Sequence, residues 1–339
     1  MAVLTGDVLV VNAGSTSLKV SLVGPDDASR PLASLDDAPA VSVVGHRVVH
    51  GGDRFTKPTV LDDDVVVELE ALVELAPLHN QPAVDAIKLA RELLPAAVHL
   101  AVFDTAFHKT LPPVARTYLL PERFRDRGIH RFGFHGLSVQ WASERVHAER
   151  LVVCHLGGGS SVTAVRNGES IDTTMGFTPL EGVPMATRAG SLDPGALLYL
   201  LRHGVSLAEL DQALEHESGL TALAGTGNVQ ELEREQSPGA RLALEVYCYR
   251  VAQAISAMAV ALGGLDALVF TAGVGEHSAF VRAGICGRLA LLGVELDLAA
   301  NAAVESEAEI SIASAPARVH VVVAREDVVV ARVCRAALE

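Results

Sequence analysis

Runs of apolar residues and alternations of apolar with polar positions divide the chain into a regular succession of elements. Val8–Val11 is a β-branched apolar run and Leu18–Leu22 alternates, so the two read as strands of one hairpin. The connection Asn12-Ala13-Gly14-Ser15-Thr16-Ser17 offers an amide, three hydroxyls and a glycine free of Cβ constraint, and Lys19 follows it. A tight turn of donors beside a cation suits a phosphate, although a plain polar hairpin has the same composition. Residues 151–165 repeat the scheme: an apolar strand, Gly157-Gly158-Gly159, Ser160-Ser161, and a second alternating strand. Two such hairpins predict a duplicated fold gripping one polyphosphate from both sides.

Between the hairpins, residues 24–40 read as loops around a short edge strand, and Val41–Val49 as a buried strand carrying Arg47 ahead of Gly51-Gly52. A cation within an apolar strand is costly unless it is paired or faces a cleft, so Arg47 reads as a buried ion pair or an anion ligand. Asp62-Asp63-Asp64 opens a helix with Val65, Leu69, Leu72 and Leu75 on one face, its acids matching the helix dipole. Ala76–Pro82 ends that helix and begins the next, with Pro82 near its first turn. Val98–Phe103 is a strand, and Asp104 at its carboxyl edge reads as a cap or turn former, or as a ligand of Mg²⁺ or a cation. His135, between Phe134 and Gly136, reads as a structural histidine or as part of a pocket wall.

In the second half, Asp172–Pro194 holds three glycines and three prolines. It is too irregular for an element and too apolar for a linker; such loops usually serve function, and Arg188 is its only cation. Pro194 begins a helix closed by Gly204, Ser206 and Glu209 form a capping box, and Ser237-Pro238 opens the longest helix, ending near Gly263-Gly264. Ala267–Thr271 is a strand whose Ala272-Gly273-Val274-Gly275-Glu276 turn leads into a helix over Ser278–Leu292. That is a nucleotide-binding arrangement or a plain tight turn. Val319–Val323 is the last strand, and Glu326 and Asp327 lead into a closing helix to Leu338.

Composition narrows the setting. With 339 residues, half of them hydrophobic, two domains are the default. A net charge of −14 argues against nucleic acid or an anionic membrane as partner. Cys154, Cys248, Cys286 and Cys334 lack metal or disulfide spacing and read as small buried hydrophobes in a reducing compartment. No signal peptide or membrane-length apolar run is visible, so a cytoplasmic protein is expected.

Taken in order, NAGSTSLKVSL, HRVVHGG, APLHN, FDTAFHKTLP, FGFHG, CHLGGGSS, DTTMGFTPLEG, ATRAGSLDP, FTAGVGE and the terminal ARED segment resemble the acetate kinase family, which includes propionate and butyrate kinases. The resemblance implies an α/β protein with the duplicated actin-like, sugar-kinase fold, two domains and a cleft between them. It implies a first domain of 1–108 plus 327–339, a second of 109–326, and a homodimer acting on small molecules. It also implies reversible phosphoryl transfer between ATP and acetate or propionate, with Mg²⁺ or Mn²⁺ and no covalent intermediate. By the same resemblance Arg47, Asp104, His135 and Arg188 are catalytic, and Asn12 and Glu326 serve the metal. Ser15, Ser17, Lys19, His155, Gly157, Gly159, Gly273 and Gly275 contact phosphate or nucleotide, while Val49, Leu78, Phe134 and Pro179 line an acyl pocket.

The departures from the family pattern fall on the nucleotide side. Val139 stands where a second histidine is usual, Gly158 where an asparagine is, and Ala189-Gly190-Ser191 where Ser-Gly-Asp is. Asn228-Val229-Gln230 replaces Asp-x-Arg, and Ala324-Arg325 and Asp327 alter the terminal segment. The chain is also shorter than typical members. These changes leave open another nucleotide or pyrophosphate as donor, a different acid, or a catalytically weak protein that binds nucleotide or acyl phosphate. Retention of Asn12, Arg47, Asp104, His135, Arg188 and Glu326 speaks against the last.

Overall fold

The structure, a computed structural model, describes residues 6–14, 18–235 and 237–339, the side chains of Pro77 and Leu78 excepted. The chain divides into two compact units. The first comprises residues up to Lys109, Phe134–Trp141 and Arg325–Glu339; the second comprises Thr110–Gly133 and Ala142–Ala324.

The first unit is built on six strands, β1 (Val8–Ala13), β2 (Leu18–Val23), β3 (Ser29–Leu32), β4 (Val43–Val48), β5 (Thr59–Val60) and β6 (Val98–Phe103), in the order β3-β2-β1-β4-β6-β5. β1, β4 and β6 run parallel; the outer pairings are antiparallel. Parallel strands must be covered on both faces, which is why their residues are apolar almost throughout. Leu9, Val11, Val44, Val48, Ala101 and Phe103 share a core with Val66 and Leu69 of the helix Asp63–Ala71 and with Val84 and Ile87 of the helix Pro77–Leu93. The opposite face receives the closing helix, Glu326–Leu338. Gly45 allows that approach: a Cβ there would lie 2.6 Å from Val330 and 2.8 Å from the Cys334 sulfur.

The second unit repeats this plan. β7 (Arg150–Leu156), β8 (Ser160–Arg166), β9 (Glu169–Thr173), β10 (Ala267–Thr271), β11 (Ala308–Glu309) and β12 (Arg318–Val321) lie in the order β9-β8-β7-β10-β12-β11. Strand for strand, this is the first sheet again, with β7, β10 and β12 parallel. The helix Pro238–Leu262 supplies Leu244, Tyr247, Val251, Ile255 and Met258 to its core. Ser237 caps its start and Gly263, at φ 71°, its end.

Three expectations need correction. The second helix of the first unit begins at Pro77, whose missing N–H costs nothing at that position, and Pro82 lies inside it. The Ala272–Glu276 segment is itself a short helix, Ala272–His277. A second helix, Ala279–Cys286, starts afresh because the Ser278 hydroxyl accepts from the Val281 N–H. Phe134–Trp141 packs with the first unit rather than with the second domain, since Gly136 sits so close to the Asp104 carbonyl that a Cβ would come within 2.0 Å. All four cysteines are buried free thiols, and no helix among the described residues is long and apolar enough to cross a membrane.

Candidate active site

Strand alternation puts Asn12 of β1 and Arg47 of β4 on the face of the closing helix, and the parallel register sets them side by side. Asp104 follows directly on β6, whose Val102 pairs with Arg47. Three neighbouring parallel strands therefore end in an amide, a guanidinium and a carboxylate, at the carboxyl edge where α/β sheets bind ligands. The closing helix adds Glu326 from its first turn.

These groups are cross-linked. Arg47 Nε donates to Asp104 Oδ1 at 3.0 Å and Nη2 to Oδ2 at 2.5 Å, a bidentate pair. Arg47 Nη1 donates to Asn12 Oδ1 at 3.0 Å, and Asn12 Nδ2 to Glu326 Oε2 at 3.2 Å. The same Glu326 oxygen stands 3.5 Å from Arg47 Nε. Burial works against the Arg47 charge, but Asp104 and Glu326 outweigh it and the net shift is upward. Burial likewise raises the Asp104 carboxyl, while Arg47 and the His135 N–H pull it back. The bidentate contact sets the two as an ion pair.

His135 has φ 58°, a left-handed backbone that turns its N–H toward Asp104. Its neighbour Phe134 is fully buried, with its ring edge-on to His50 at 5.4 Å between centroids and its carbonyl 2.9 Å from His108 Nε2. Burial lowers the His108 pKa to about 4, so at neutral pH it is an uncharged ring. The backbone N–H of His50 donates to Asn80 Oδ1 and Asn80 Nδ2 returns a bond to the His50 carbonyl, each at 3.0 Å. Among the predicted acyl-pocket residues, Val49 is buried here too, whereas the Leu78 side chain lies outside the described residues. Ser15 and Ser17 also lie outside them; Lys19 is exposed on β2, opposite Asn12.

The remaining predicted residues belong to the second unit. His155, next to last in β7, pairs with Thr271, the last residue of β10. Gly157 and Gly159 close the β7–β8 turn through a bond from the Gly157 N–H to the Gly159 carbonyl. Gly273 and Gly275 lie within the short helix after β10. Pro179 is buried in the loop after β9, which also carries Arg188. Arg188 is 9 % exposed, its Nε donating to Glu215 Oε2 at 3.1 Å. Burial lowers its pKa and Glu215 offsets part of that. The sequence reading missed Glu215, and gave no role to Asn80 or His108; the polar residues of APLHN and FDTAFHKTLP were the available signal for the last two. Among the described residues, no group of three or more His, Cys, Asp or Glu could by itself hold a metal.

Two sheets of identical order with chemistry at their carboxyl edges define a phosphotransferase of the actin-like class. The match to known proteins narrows this further. The model of the acetokinase family covers residues 28–332, and the chain belongs to that family, whose members phosphorylate short-chain carboxylates. It is 42 % identical over 312 residues to the acetate kinase of Protochlamydia amoebophila, covering 89 % of this chain and 79 % of that one. It is 44 % identical, also over 312 residues, to the acetate kinase of Thermosynechococcus vestitus, covering 88 % and 75 %. Among solved structures, a propionate kinase from Francisella tularensis superposes with a TM-score of 0.90 at 31 % identity, covering 98 % of this chain and 99 % of that one. The acetate kinase of Entamoeba histolytica gives 0.87 at 29 %, covering 96 % and 98 %.

Proposed function

We propose that the protein transfers a phosphoryl group reversibly between ATP and acetate, with propionate as the second acid, giving an acyl phosphate and ADP. The observation that carries this reading is the Arg47 cluster: a guanidinium fixed on two sides at the edge of the first sheet, in a chain of the acetokinase family. A carboxylate and a polyphosphate repel, and the transferring phosphoryl group spreads charge over three oxygens. Arg47 and Arg188 neutralise those charges, and His135 donates to a phosphoryl oxygen. Asn12, Lys19, Ser15 and Ser17 contact phosphate from the first unit. His155, Gly157, Gly159, Gly273 and Gly275 do so from the second. Val49, Leu78, Phe134 and Pro179, all apolar, receive a methyl or ethyl tail. No residue becomes covalently phosphorylated.

The donor set fits Mg²⁺, a hard cation that takes one or two carboxylates and completes its shell with water and phosphate. Glu326 and Asn12 would hold it, with Asp104 acting through water because both of its oxygens already accept from Arg47. When bound, the ion neutralises charge on the phosphates. The two units act as the two functional domains. A homodimer is supported by the helix Pro194–Arg202, which carries Leu198, Leu200, Leu201 and Tyr199 yet buries no residue. Four buried free thiols suit the cytoplasm.

A second reading, with another donor, is favoured by Asn228. Its Oδ1 accepts from the Gln230 N–H and its Nδ2 donates to Glu231, so the side chain is spent on starting the helix Val229–Glu235 rather than on a nucleotide. Phosphorus NMR of the purified protein with acetyl phosphate, ADP and Mg²⁺ tests the first reading. ATP resonances should grow at the expense of acetyl phosphate; unchanged spectra sink it.

A further inference from the structure

The backbone that carries Arg188 is stitched along its length to a neighbouring turn. The Leu220 N–H donates to the Met185 carbonyl, the Thr221 N–H to Ala186 and the Ser218 N–H to Thr187, at 3.0, 3.0 and 2.9 Å. The Thr221 hydroxyl adds a bond to the Ala186 carbonyl, and the Thr187 hydroxyl donates to the Glu215 carbonyl at 2.7 Å. Gly219, at φ 64°, permits this fit: a Cβ there would meet the Met185 and Arg188 carbonyls at 2.2 and 2.7 Å. Ala213–Glu217 is a π-helical turn, a rare geometry that recurs at functional sites because it re-aims one side chain. The side chain it aims here is Glu215, which meets Arg188 with only 16 % of its own side chain exposed.

We propose that Glu215 is a positioning residue for Arg188: its carboxylate fixes the guanidinium through Nε and so sets the direction of the rest of the fork. The inference rests on Arg188 acting on the phosphoryl group, but the fixing itself can be read without any reaction. An Nε–H held by a buried carboxylate exchanges slowly with water; one that swings freely does not. A partly buried arginine fixed by one acid also costs less to reorganise at the moment of transfer than one that must be ordered by substrate. Because the acid takes Nε, it sets orientation without competing for the whole fork. A glutamine at 215 keeps an acceptor oxygen of the same reach and removes the charge; an alanine removes both.

The test is the Arg188 Nε–H resonance in ¹H–¹⁵N spectra, assigned by its loss in Arg188→Lys, together with kcat and KM for acetate and ATP. Wild type and Glu215→Gln should both show a slowly exchanging signal, and Glu215→Ala should lose it. In the same variants, Glu215→Ala should lower kcat by at least about tenfold with the KM for ATP within about twofold. Glu215→Gln should keep kcat within about threefold. A protected signal in Glu215→Ala, or wild-type kcat in that variant, overturns the proposal. So does equal loss of kcat in both variants. If the signal behaves as expected while no protein forms acyl phosphate, the positioning stands and the kinase reading falls.

Discussion

The two sheets share one strand order and differ at their edges. In the first, β1, β4 and the end of β6 present Asn12, Arg47 and Asp104, an ion pair cross-linked to an amide. In the second, the equivalent β7 and β10 carry the paired His155 and Thr271 at their carboxyl ends and are followed by glycines, including Gly157, Gly159, Gly273 and Gly275. One topology thus carries two kinds of edge: linked charged side chains in one copy, glycine-rich backbone in the other. The fold supplies adjacent strand ends, and the residues placed there decide what those ends do. The second sheet's arginine, Arg188, comes instead from a long loop and is held by an acid outside the strands.

The sharpest way to break the comparison is Arg47→Ala. It removes the cation of the first edge and strands Asp104, which is fully buried, without its ion pair. Turnover should fall by about three orders of magnitude or more, and stability by about 3–5 kcal/mol, read by steady-state kinetics and thermal melting. Arg188→Ala should cost about two to three orders of magnitude in turnover in a protein that still folds, its melting temperature lowered less than in Arg47→Ala because Glu215 keeps 16 % of its side chain exposed where Asp104 keeps none. Normal turnover in that variant removes the loop arginine from the mechanism.

A third effect belongs to the first unit's buried imidazoles. Burial lowers His46 to about 3 and His108 to about 4, well below the ordinary value of 6.5. Between those values and 6.5 the unfolded chain binds more protons than the folded one, so stability rises with pH across that window and is lost as pH falls through it. His108 alone accounts for about 3 kcal/mol between pH 6.5 and 4. Melting temperature against pH should drop below about 6.5, and replacing His108 with glutamine should flatten the curve. The smallest effect tests the second edge. An added Cβ at Gly158 meets nothing within 4 Å, so Gly158→Asn should fold normally. If an amide there reaches the donor, the KM for ATP should fall by about three- to tenfold.

Much of this was readable in the sequence because strands buried on both faces tolerate little but apolar residues. Arg47 within such a strand therefore stood out, as did the two hairpins. Of the two readings offered for Arg47, the structure bears out the ion pair, made with Asp104. Asp104 was ambiguous between a turn former and a ligand because its partner lies on another strand, and register is a property of the folded sheet. The AGVGE segment reads as a turn because glycines two residues apart carry no helical periodicity, and only the Ser278 cap divides the two helices. Glu215 was invisible for a related reason: its contact with Arg188 spans residues far apart along the chain, and a π-helical turn leaves no pattern in apolar spacing.

The central claim is most directly tested by trapping acyl phosphate with hydroxylamine while crossing acetate, propionate and butyrate with ATP, GTP and pyrophosphate in the presence of Mg²⁺. The account predicts acyl hydroxamate from acetate and, next, propionate with ATP. No hydroxamate from any pair would contradict it.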